Sequence, residues 1–144
     1  MITLAAILPG ILASSPALAQ FNRPPPSPVV TVWAAQPLAY EPGNQAGVFT
    51  ISRGANTNSA VTLDCTFTGT ATNGVDYAAV PTSVTLAAGQ SETNILITPV
   101  AEPQATGYKT VELEVPRSSH SFYQMLRGFD TAVVYIAYSN LLSR

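Results

Sequence analysis

Seven short runs of alternating apolar and polar residues, most of them closed by a turn signal, follow one another from Val29 to Tyr138. That pattern leaves little choice of fold. After "VVTVWA", the run "GVFTISR" puts Phe49 and Ile51 on one face. "AVTLDCTF" sets Val61, Leu63, Cys65 and Phe67 against Thr62, Asp64 and Thr66. Val84 and Leu86 are in phase, as are Ile95 and Ile97. "TVELEV" alternates Val111, Leu113 and Val115 with Glu112 and Glu114, and "TAVVYIAY" aligns Ala132, Val134 and Ile136. A period of two is that of a strand with one face buried. "EPGN", "RGAN", "TNG" and "AAGQ" supply the turns, and no stretch sustains a helical period. The expectation is an all-β chain, an immunoglobulin-like antiparallel β-sandwich of about seven strands.

The 144 residues suit one domain, and at 47% hydrophobic and 10% charged they can form a substantial core. Six basic residues, scattered within a net charge of −2, argue against nucleic acid, which needs clustered cations. Cys65 has no partner for an internal disulfide, and its place in the alternation makes it a small core residue. A reactive thiol is the alternative, but no His or Lys stands near it in sequence to activate it.

Residues 1–19 read as a signal peptide: an apolar stretch from Ile2 to Ala13, then Ala17 and Ala19 in an A-x-A pattern before Gln20. No Lys or Arg precedes the apolar stretch. A membrane anchor is the alternative, but Pro9, Gly10 and Pro16 interrupt it. Residues 20–28 hold four prolines in five positions and read as a stiff spacer, with a ligand for a proline-binding module as the other reading. The expected product is secreted, periplasmic or cell-surface, with no membrane insertion after cleavage and its domain at 29–140.

Within the domain, "GTATNGVDYAAVPTSVTLAAGQSETNILITPV" resembles the Calx-beta domain, a β-sandwich module of sodium–calcium exchangers and bacterial surface proteins. The matching residues are Gly69-Thr70-Ala71, Gly74, Asp76-Tyr77, Val84, Leu86, Gly89 and the strand to Ile97. "YEPGNQAGVFTISRGA" is similar to the family's acidic turn and second strand, while "KTVELEV", Tyr123 and "TAVVYI" match more loosely. Without any ligand, Gly69 and Gly74 suit the turn, Asp76 would cap it and Tyr77 would seal the sandwich end.

The resemblance implies a calcium site in which carboxylates from several loops converge. Glu41 and Asp76 match two ligand positions, and Glu102 alone remains of the cluster expected in "PVAEPQATGYK". Ala101 and Pro103 stand where other acids are usual, Lys109 stands where the family often has Glu, and the last strand ends in "IAYSN", offering only Asn140. Calcium takes six to eight oxygens, several of them carboxylate. The expectation is a degenerate site, with no cofactor or weak calcium binding at most. Lys109 shares the strand face of Val111 and Leu113, so its ammonium would offset Glu41, Asp76 or Glu102. The alternative is a solvated lysine of little consequence.

No catalytic constellation accompanies these residues. His120 sits among serines without a nucleophile motif, and there is no HExxH, CxxC or phosphate loop. Two readings remain. One is a non-enzymatic binding or adhesion module for an extracellular or envelope protein or glycan. The other is a structural spacer or remnant of a larger surface protein.

Overall fold

The structure, a computed structural model, describes residues 26–41, 45–102, 107–117 and 123–138. Ten strands follow in order: β1 Val29–Gln36, β2 Leu38–Tyr40, β3 Gly47–Arg53, β4 Val61–Asp64, β5 Thr66–Thr68, β6 Ser83–Leu86, β7 Glu92–Ile97, β8 Tyr108–Glu114, β9 Gln124–Met125 and β10 Thr131–Ala137. One sheet has the order β7-β3-β1-β9, another β2-β10-β8-β5, and β4 pairs with β6 in a two-stranded ladder. The protein is an all-β, immunoglobulin-like sandwich.

The alternating runs all appear as strands, and their mutual pairings are antiparallel. The count rises to ten for local reasons. "AVTLDCTF" changes partner at Cys65, from β6 through β4 to β8 through β5, and the Cys65 N–H donates to the Thr82 carbonyl at 2.8 Å. The first strand likewise switches sheets at Pro37: β1 pairs with β3 and β9, whereas β2 pairs in parallel with β10. Proline has no N–H to contribute to a ladder. Its carbonyl accepts the Tyr135 N–H at 2.8 Å. β9 is two residues long and too short to show a period.

Alternation translates directly into burial. Val30, Val32, Phe49, Ile51, Ile95 and Ile97 face Val111, Leu113, Val134 and Ile136 across the core, with Leu63 and Leu86 from the third ladder. Glu112 and Glu114 are exposed. Cys65 is buried, and burial, with a smaller push from Asp64, raises its thiol to about 11. It is thus a core residue rather than a nucleophile. Tyr123 is buried and donates its hydroxyl to the Pro116 carbonyl at 2.7 Å, closing the chain between β8 and β9.

Residues 1–25, His120 and Asn140 lie outside the described residues, as do 42–44 and 103–106 in the two acidic loops. Of the proline-rich stretch, Pro26 accepts the Asn56 side-chain amide at 2.6 Å and Pro28 accepts the Gln124 N–H at 2.9 Å.

Candidate functional site

The turn that carries Asp76 is built by its own sequence. Gly69 has φ +112°, and a Cβ there would meet the Thr110 carbonyl oxygen at 2.3 Å, so only glycine fits beside β8. Thr70 and Thr110 then clasp: the Thr70 N–H donates to Thr110 Oγ1 at 3.1 Å and the Thr110 N–H to Thr70 Oγ1 at 2.8 Å. Asn73 clamps the far side, donating from Nδ2 to the Val80 carbonyl at 3.0 Å and accepting the Val80 N–H at 2.9 Å. Asp76 caps the turn as its sequence suggests, Oδ2 accepting the Thr72 N–H at 2.5 Å. Tyr77 behind it is fully buried and seals this end of the sandwich.

Four further segments gather at the turn here. The Val100 N–H donates to the Asp76 carbonyl at 2.9 Å, which holds the chain beyond β7 against it. Two residues later the Glu102 N–H donates to Glu41 Oε1, and the Glu41 N–H donates to the Ala137 carbonyl at 3.0 Å. Lys109, at the start of β8, points inward between them. Its ammonium donates to Asp76 Oδ1 and, at 2.8 Å, to Glu102 Oε2. The ring of Tyr138 lies 5.7 Å from the ammonium, and the Tyr138 hydroxyl approaches Glu102 Oε2 at 3.4 Å.

Glu41, Asp76 and Glu102 therefore gather at one end of the sandwich, and Lys109 sits among them. Asp76 and Glu41 are buried, while Lys109 and Glu102 are about one-third exposed. Burial pushes the Asp76 carboxyl up, but its bonds to the Lys109 ammonium and the Thr72 N–H outweigh that and hold it below the usual carboxylate range. Lys109 is raised well above an ordinary ammonium, first by Asp76 and then by Glu102.

The described residues leave few oxygens free for calcium. Both Asp76 oxygens are engaged, one Glu102 oxygen bonds the ammonium, and one Glu41 oxygen holds a backbone N–H. Calcium needs six to eight oxygens with an uncompensated negative charge. Among the described residues no group of three or more His, Cys, Asp or Glu is disposed to hold a metal.

This charge balance sets a pH profile. Asp76, lowered in the folded state, contributes stability above its unfolded value of about 3.9, lost as pH falls through the lower folded value. Lys109, raised, contributes fully below its unfolded value of about 10.4, lost only as pH rises through the higher folded one. Urea unfolding across pH should thus give a plateau through neutrality, with an acid limb that Asp76→Asn flattens. An unchanged acid limb in Asp76→Asn would assign it to other carboxylates.

An immunoglobulin-like sandwich with loop-borne acids at one end is the class of fold seen here. Within that class, solved structures place the fold: it is similar to the apo-form Calx CBD1 domain (TM-score 0.58, 12% identity, covering 76% of this chain and 97% of that one). The Calx CBD2 domain is similar at TM-score 0.57 and 12% identity, over 81% of this chain and 94% of that one. The calcium binding domain CBD12 of CALX1.1 matches at TM-score 0.56 and 14% identity, over 74% of this chain and 44% of its own. The chain has the fold of a Calx-beta domain, as its central motif suggests. No family model and no curated protein matches the sequence.

The sequence brought forward Glu41, Asp76, Glu102 and Lys109 but missed Asn73, Thr110 and Tyr138. Tyr138 carried a signal: it continues the inward parity of Val134 and Ile136 by one more step.

Proposed function

We propose that this chain is an exported, non-enzymatic binding or adhesion module on a Calx-beta-like sandwich whose calcium site is degenerate. The observation that carries the reading is the outer face of the second sheet. Tyr108 and Tyr135 are 63% and 44% exposed there, on neighbouring strands and in diagonal register, with Leu38 and Thr110 beside Tyr135. Tyrosine offers an apolar ring with a polar tip, the chemistry that recognises protein surfaces and sugars alike. The relatives in fold, one of them a calcium binding domain, support a role in binding rather than catalysis. The degenerate site rests on Lys109, which occupies the acids a cation would need.

The test is binding of the labelled mature domain to whole cells of the producing organism, with N-terminal sequencing of the exported product. Saturable binding, lost in Tyr108→Ala/Tyr135→Ala, and a terminus at Gln20 are expected. Binding no greater than that of an unrelated β-sandwich would favour the spacer reading, and a Met1 terminus on the folded product would end the export claim.

A further inference from the structure

We infer that Lys109 is a built-in counter-ion, a covalently attached cation that performs the charge-balancing and loop-joining task a bound metal would otherwise perform at this end of the sandwich. The inference rests on the degenerate-site part of the reading above.

Asp76 is 5% exposed and Glu41 8% exposed, and Glu102 is joined to Glu41 through its own backbone. Carboxylates gathered this closely repel one another, and partial burial weakens the water that would screen them. A cation must sit among them or they must take up protons. The ammonium of Lys109 is the cation the chain supplies, with one hydrogen bond to the turn after β5 and another to the segment after β7. It thereby ties together two loops from different sheets and the start of β8. Because the cation is covalently attached, it neither dissociates nor depends on the concentration of a free ion, unlike a metal whose effect follows mass action. Lysine also suits this place better than arginine, as a compact point charge with three donors that can reach separate carboxylates. The Tyr138 ring, 5.7 Å away, lines the ammonium on a third side.

The test is a set of thermal melts on the full mature domain: the natural sequence, Lys109→Met, Asp76→Asn and the double variant, each with EDTA and with millimolar calcium, at low and high salt. The natural sequence should melt at the same temperature with and without calcium. Lys109→Met should melt several degrees lower in EDTA, and Asp76→Asn, which keeps the Thr72 cap, should lower the melt less. The double variant should lose clearly less than the sum of the two, because removing the acid relieves the charge that Lys109→Met leaves unbalanced. If calcium raises the melt of the natural sequence by many degrees, the degenerate-site reading itself fails. If calcium does nothing but Lys109→Met is neutral, or the two losses add without coupling, the site is degenerate and the counter-ion role is wrong. An intact mass short by one water would also overturn the ion pair, since it would mean that Lys109 and a carboxylate had condensed to an amide.

Discussion

Replacing Arg53 by methionine is expected to remove about 3 kcal/mol or more, a large share of the roughly 5–15 kcal/mol that holds a domain of this kind folded. Arg53 is 2% exposed, and among the described residues it has no carboxylate partner. Its guanidinium instead donates to four backbone carbonyls: Nε to Gln90 at 2.7 Å, Nη1 to Ser59 at 2.6 Å, and Nη2 to Ala87 at 2.6 Å and Thr57 at 3.4 Å. These carbonyls belong to the loop after β3 and the turn between β6 and β7, so one side chain fastens the third ladder to the first sheet. Hydrogen bonds from a charged donor contribute about 1.5–3 kcal/mol each, and methionine can make none of them. Lysine should recover only a fraction, because a single ammonium cannot span a planar fork of acceptors. Urea unfolding of Arg53→Met and Arg53→Lys measures both. A loss below about 1 kcal/mol for Arg53→Met would show that water satisfies those carbonyls and that the arginine is incidental.

Arg53 also marks where the sequence stopped being informative. Alternation along β3 places Phe49, Ile51 and Arg53 on one face, and the first two are core residues as expected. The third is equally buried, yet nothing in "ISRGA" announces it, since its acceptors are main-chain atoms of residues up to 37 positions away. Strand periodicity reports which face is buried but not which backbone oxygens wait beneath it. The same limit explains β2 and β9, two short parallel-paired strands whose existence depends on neighbours rather than on a pattern of their own. At the opposite end of the sandwich the position was better. Gly69, Asp76 and Tyr77 form a local motif with local reasons, so their roles could be read in order. Lys109 was legible through strand parity alone, which aimed it inward. Its two carboxylate partners, 33 and 7 residues away, could be named only by resemblance to a family whose acids meet there.

Tyr77→Ala is expected to be the most damaging change near the candidate site, at about 3–5 kcal/mol, the usual cost of truncating a large buried aromatic. Tyr77 is wholly buried and among the largest side chains in the core. Its backbone is held as firmly as its ring: the Gly74 N–H donates to the Tyr77 carbonyl at 3.1 Å, and the neighbouring Ala78 N–H donates to Thr98 at 2.8 Å. Those bonds position the turn against the end of β7, while the ring fixes its depth in the sandwich. Asp76 is the preceding residue, so the location of its carboxylate under the Lys109 ammonium is inherited from the tyrosine. A cavity left by the ring should therefore do two things together. It should lower stability at neutral pH, and it should loosen the Asp76–Lys109 contact so that the acid limb of the stability profile flattens toward that of Asp76→Asn. Urea unfolding of Tyr77→Ala at several pH values reads both effects. A full loss of stability with the acid limb intact would separate the two residues, and would mean that the bonds from Thr72 and Val100 hold Asp76 in place without help from the core.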